Sequence, residues 1–192
     1  MMHSVKSLEA ELQRVGNRPG FDSAPPVLCE FTVDVDGDTG EYVRRLRSVL
    51  AVAVRLGGTA DFDADDLPAD GVPDWFAAIS PEPSAAPEQA PEFARRGREA
   101  FVRDMESRPW ALQDWLFRFD PEDDSRGWEW WDATQPGDSK VRLWVDSWGE
   151  SFFGCQELRW LAYTAGALHV DGPAVQRTGA WAAEAGGEDV DD

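Results

Sequence analysis

The chain has 192 residues, 42% of them hydrophobic, and sets 37 acidic side chains against 18 basic ones for a formal charge of -19. Ten Trp, ten Phe and two Tyr supply enough apolar surface for a sizeable core, which excludes wholesale disorder. Carboxylates in this excess repel a phosphate backbone, so direct nucleic-acid binding is disfavoured and the expected partner is a basic protein.

No positively charged start precedes an apolar stretch, and nowhere do about 18 apolar residues run together. No membrane association is expected, and the cytoplasm is the expected location. Cys29 and Cys155 lie outside any Cys-x-x-Cys or Cys-His metal spacing and are read as reduced thiols. His3 and His169 are the two histidines, and His3 is close to an end expected to fray, so zinc chemistry is disfavoured. The absence of a P-loop or a Gly-x-Gly-x-x-Gly fingerprint gives no ground for a nucleotide, and no cofactor is expected.

In chain order, Val5, Leu8, Leu12 and Val15 recur at helical spacing and predict an amphipathic helix from Ser4 to Val15, ended by Gly16-Asn17. From 27 to 35 the odd positions Val27, Cys29, Phe31, Val33 and Val35 are apolar, which predicts a half-buried strand with Cys29 in its core row. Asp38 and Glu41 have capping-box spacing, and Val43, Leu46, Leu50 and Ala53 continue a helix to Gly57-Gly58. An acidic loop leads to a two-turn helix over Pro73 to Ile79. Residues 81–91, rich in Pro, read as a linker. A further helix over Glu92 to Ser107 stops before Pro109. Three alternating segments, 115–119, 128–133 and 140–146, predict an antiparallel meander. Cys155, Leu158, Leu161, Ala162 and Ala165 then form a helical stripe that can cover one face of it. Residues 186–192 read as an acidic disordered tail.

This order predicts an α+β fold, with an antiparallel sheet of three strands, or four if 27–35 joins it, packed with helices. Residues 1–80 are either part of one domain with 92–185 or a small unit of their own, across the linker at 81–91.

Eight of the ten tryptophans lie between Trp110 and Trp160. If Trp115, Phe117, Phe119, Trp128, Trp130, Val141, Leu143 and Val145 face the covering helix, period two sets Arg118, Glu129, Trp131, Arg142 and Trp144 on the opposite face. That face is either a recognition surface or is covered by a second helix, such as the one at 92–107, with arginines stacked on the rings. Together with Trp148, these residues are the candidate partner-binding set.

The segment from Asp146 to Ser151 passes from a strand end to a helix start and is the candidate small-molecule site. Asp146 and Glu150 are its acid-base candidates, against a plain reading as solvated loop carboxylates. Ser147 stands outside a Gly-x-Ser-x-Gly elbow, Cys155 belongs to an apolar stripe, and His169 reads as a surface or capping residue. Asp34, Asp36 and Asp38 have the alternate spacing of calcium-loop ligands and are the metal candidates. Thr39 replaces the required Gly, however, and Arg45 the closing Glu, so turn formation is the plainer reading.

The leading expectation is a non-enzymatic, acidic protein-binding module, in its sharpest form an immunity protein or inhibitor that neutralises a basic nuclease toxin. A small hydrolase or carbohydrate-binding enzyme with its site at 144–150 is the first alternative. An oligomeric scaffold, with the Trp-rich face as a self-interface, is the second.

Overall fold

In a computed structural model, which describes residues 3–81 and 87–188, seven α-helices surround one antiparallel sheet. Helix α1 (Val5–Gly16) begins where Ser4 and Ser7 each accept the other's backbone N–H, at 3.1 and 2.9 Å. Strand β1 (Val27–Val35) has the bounds that its alternation predicts. The Asp38 carboxylate accepts the Glu41 N–H at 2.7 Å and caps α2 (Thr39–Thr59), which runs through Gly57-Gly58 before it stops. Helices α3 (Asp74–Ile79) and α4 (Glu92–Met105) follow, and a left-handed Glu106 (φ 49°) ends the latter. Of the Pro-rich linker, residues 82–86 lie outside the described residues, and Pro87–Gln89 form a single 3-10 turn.

Residues 115–119 are not a strand: they belong to α5 (Leu112–Phe117) and the turn after it. The period-two reading selects Trp115, Phe117 and Phe119 but passes over Leu116. The set that is fully buried is Trp115, Leu116 and Phe119, which with Leu112 has the i, i+3, i+4, i+7 spacing of a helix face. Strands β2 (Glu129–Gly137) and β3 (Lys140–Asp146) form a hairpin, and α6 (Gln156–Thr164) carries the stripe expected of it. Two elements have no counterpart in the sequence reading. Strand β4 (Ala167–Arg177) contains Gly172-Pro173, a pair that argues against a strand. The sheet absorbs it with a bulge opposite Glu30 to Thr32, where Gly172 takes φ +116° and an added Cβ would meet the Glu30 carbonyl at 2.7 Å. Helix α7 (Thr178–Glu188) occupies Gly186 to Glu188, which the sequence assigns to the tail, and 189–192 lie outside the described residues.

The strand order is β2-β3-β1-β4, so β1 joins the sheet at its centre, pairing Phe31 with Leu143 on one side and Val33 with Val170 on the other. Pairing fixes the two faces by alternation. Phe31, Val33, Trp130, Val141, Leu143 and Val145 face a core shared with helices α1 to α6, and residues on both sides of the Pro-rich stretch contribute to it. Within it α4 and α6 approach so closely that a Cβ on Gly97 would stand 1.8 Å from the Tyr163 carbonyl oxygen. The opposite face presents Leu28, Trp131 and Trp144, and α7 seals it with Trp181 and Ala185. The second covering helix is thus α7, not the one at 92–105.

Candidate functional site

A buried polar cluster lies along the β2 edge. Helix α1 carries Glu11 and Arg14, three residues apart on the face directed at that edge, and Arg18 follows in the extended chain just past the helix end. Glu11 accepts the Trp130 N–H at 2.7 Å and takes a two-pronged donation from Arg126, at 2.8 and 3.0 Å, with both side chains fully buried. Arg14 donates to the Trp130 carbonyl at 2.9 Å and to Glu129 at 3.0 Å. Arg18 reaches the Ala133 carbonyl at 3.2 Å and Asp132 at 2.8 Å. Asp132, fully buried, also accepts from Arg47 at 3.2 Å and from the Trp181 indole at 2.9 Å.

His3 closes the cluster and is buried, contrary to the frayed end expected from sequence. Its Nε2 lies 2.9 Å from the Arg126 carbonyl, an atom that only accepts, so Nε2 carries the proton. Nδ1 then faces Glu129 at 3.3 Å and Arg126 at 3.4 Å. Burial raises the Glu129 carboxyl, but His3, Ser7 and Arg14 outweigh it and hold the group below its ordinary value. His3, Glu11 and Glu129 place ligand atoms within 4.8 Å of one another, the one such group among the described residues. The donor set does not suit a cation, because Arg126 holds both Glu11 oxygens and Arg14 holds Glu129. What the arrangement does is fix α1 to the sheet edge and keep the interior near neutrality, leaving the chain's negative charge on its surface.

Next to this cluster the chain leaves β3 in a loop, 147–154. The Asp146 carboxylate accepts the Trp148 N–H at 2.8 Å, and burial pushes its carboxyl up. Ser147, buried, donates to the Glu150 carbonyl at 2.7 Å and lies 3.2 Å from the Cys29 sulfur. These bonds pin the base of the loop. Its outer part turns aromatic side chains to solvent: Trp148, at φ +55°, is 42% exposed with its ring edge on His3, and Phe152 is 96% exposed. Glu150 lies between them, also exposed.

The structure scatters the remaining candidates. Trp131 and Trp144 are buried beneath α7, Trp144 donating to the Thr134 hydroxyl at 2.8 Å, so neither forms a free surface. Arg142 on the same face is ion-paired to Glu184 of α7, with Glu30 at 3.7 Å. Glu129 belongs to the buried cluster. Arg118 is not on the sheet at all: as the residue that ends α5 it bonds Glu157 at 3.3 Å and the Ser125 carbonyl at 2.9 Å. The calcium-like aspartates are engaged one by one: Asp34 with Lys140 at 2.5 Å, Asp36 with Arg96 at 2.9 Å, and Asp38 as the α2 cap. Cys155 is buried and burial raises its thiol, while His169 is exposed and 3.2 Å from Asp104.

Sequence reasoning missed the cluster at the β2 edge. A signal was present, since Glu11 falls inside the apolar stripe between Leu8 and Val15, where a carboxylate must have a buried partner. It missed Phe152 as well, because one Phe beside another reads as core. No protein-family model matches the chain, and no curated protein or solved structure is significantly similar to it.

Proposed function

We propose that this chain is a cytoplasmic protein-binding module that captures a basic protein, acting as an inhibitor of the immunity type, and that loop 147–154 makes the central contact. The reading rests on one observation: a loop pinned at its base holds Trp148 and Phe152 out in water with Glu150 between them. An aromatic ring left almost fully exposed forgoes about 2 kcal/mol of burial that a partner can recover. Aromatic anchors within a charged rim are the pattern of an interface hot spot. A charge of -19 steers a cationic protein to that surface and accelerates the encounter at low salt.

The test is titration calorimetry against a panel of cationic proteins, nucleases among them, at low and high salt. Binding that weakens with salt, and that Trp148→Ala and Phe152→Ala each reduce about tenfold or more, agrees with the reading. Retention of no cationic protein at low salt, or binding indifferent to both substitutions, overturns it.

A further inference from the structure

The two edges of the sheet differ in how they are closed, and one stretch is left open. On β2, Arg14 of α1 and Arg18 just past its end donate to the carbonyls of Trp130 and Ala133. On the first half of β4, Arg103 reaches the Leu168 carbonyl at 3.5 Å, and Arg159 donates to the carbonyls of Val170 (3.4 Å) and Gly172. The Val170 N–H finds the Tyr163 hydroxyl at 3.3 Å. After the bulge this covering ends. Among the described residues no side chain bonds to the backbone of 173–177, and Ala174, Val175 and Arg177 are exposed. An uncovered edge is a template for another strand, and proteins usually blunt it.

A cavity of about 690 Å³ adjoins the open stretch and shares Pro173 with it. Its walls are mostly apolar, with Met105, Phe152, Phe153 and Cys155 beside Pro173, and Arg159 is their one cation. Three exposed carboxylates neighbour this lining in the chain: Glu106 next to Met105, Glu150 next to Ser151, and Asp171 two residues before Pro173. The cavity therefore combines a mostly apolar floor with an edge able to exchange backbone hydrogen bonds, and exposed carboxylates flank its lining residues in the chain.

We infer that an extended segment of a cationic partner adds to the sheet as a fifth strand along residues 173–177 and places one large apolar side chain in the cavity behind Phe152. Strand addition takes affinity from main-chain bonds and specificity from a pocket for an alternate side chain. The basic residues of such a segment meet Glu106, Glu150 and Asp171, while Phe152 closes over the inserted side chain. A second copy of the chain is the poorer occupant, because it brings a further charge of -19 to the same surface. The inference rests on the proposed function and adds to it the mode of binding and the shape of the bound segment.

The probe is a synthetic decapeptide of alternating Lys and Val with one central Phe, measured by fluorescence anisotropy at low salt. Its comparators have Ala for Phe, Glu for Lys, or N-methyl groups at alternate residues in one frame or the other. The expected result is tenfold or greater weakening for the Ala peptide and for one of the two N-methylated frames, with no binding of the Glu peptide. Phe152→Ala weakens the parent peptide about tenfold, and hydrogen exchange slows at residues 174–177 of the intact protein when the peptide is bound. If the parent binds with salt sensitivity but both methylated frames match it, or protection appears elsewhere, strand addition is overturned while the protein-binding reading stands. If neither this peptide nor any cationic protein binds at low salt, both fall. Dimerisation that hides 174–177 without peptide also overturns the inference, in favour of a second copy.

Discussion

The β2 and β4 edges solve one problem with different chemistry. Both are closed by arginines that donate to strand carbonyls, but on β2 these arginines and their carboxylate partners are mostly buried, with Glu11, Arg126 and Asp132 wholly withdrawn from water. On β4 the closure uses exposed or half-exposed groups, Arg103, Asp104, Arg159 and His169, and it stops at Pro173. A desolvated charge is tolerated only when fully paired, so the β2 edge is fixed and all-or-none. A solvated closure is weaker and can be left incomplete, which leaves β4 free to accept something else.

The largest effect that separates the edges is expected from Glu11→Ala. It leaves Arg126 buried without its counter-ion and the Trp130 N–H without an acceptor, a loss of about 3–5 kcal/mol by urea unfolding. The double variant Glu11→Leu with Arg126→Met recovers part of this loss, because no charge is then stranded, although the Trp130 N–H and the Trp128 carbonyl stay unpartnered. A loss below about 1 kcal/mol for Glu11→Ala, the range of solvated pairs, would erase the distinction between the edges.

Arg159→Ala is the matching change on β4. It frees the carbonyls of Val170, which is buried, and Gly172, and removes the guanidinium 5.4 Å above the Phe31 ring. The expected cost is smaller, about 1–3 kcal/mol, since water reaches part of the site. The variant also lengthens the open edge, so earlier, concentration-dependent elution on size exclusion is expected of it and not of Glu11→Ala at equal stability.

What the sequence discloses follows the same line of contrast. Elements with one strong period and a clear end, such as β1 between Pro26 and Gly37 or α2 behind Asp38, were legible because local chemistry and burial agree there. The α5 segment was not, since Trp115, Phe117 and Phe119 alternate as well as the buried set recurs helically, and only tertiary packing decides between them. Helix α7 is built from Ala and Gly around one Trp, and β4 is broken by Gly172-Pro173, so neither offers enough pattern to be read. The covering of the Trp131–Trp144 face was foreseeable as a possibility, yet the covering helix was hidden in that low-contrast stretch. At the candidate site, Trp148 and Glu150 could be singled out from sequence. The pairing of Glu11 with Arg126, 115 residues apart, is a property of the fold alone.

The smallest expected effect concerns acid. Arg103, Tyr163 and His169 bond the Asp104 carboxylate at the β4 side and hold it down at about 2, against a partial burial that acts the other way. A carboxyl lowered on folding contributes stability that is fully present above its unfolded value, about 3.9, and is lost as pH falls through its folded one. Asp104→Asn therefore lowers stability at neutral pH, and its deficit against the unmodified chain shrinks between about pH 4 and pH 2. Glu129 at the β2 side is lowered too, so Glu129→Gln shows the same sign, with the deficit closing below about pH 4.3, the unfolded value of Glu. The edges differ in salt response: because the cationic partners of Asp104, Arg103 and His169, are exposed, about 1 M salt removes most of its contribution, whereas the enclosed Glu129 pair keeps its own. Urea unfolding of both variants at pH 6, 4 and 2.5, with and without that salt, checks this, and equal screening at the two positions would contradict the contrast between a buried closure and a solvated one.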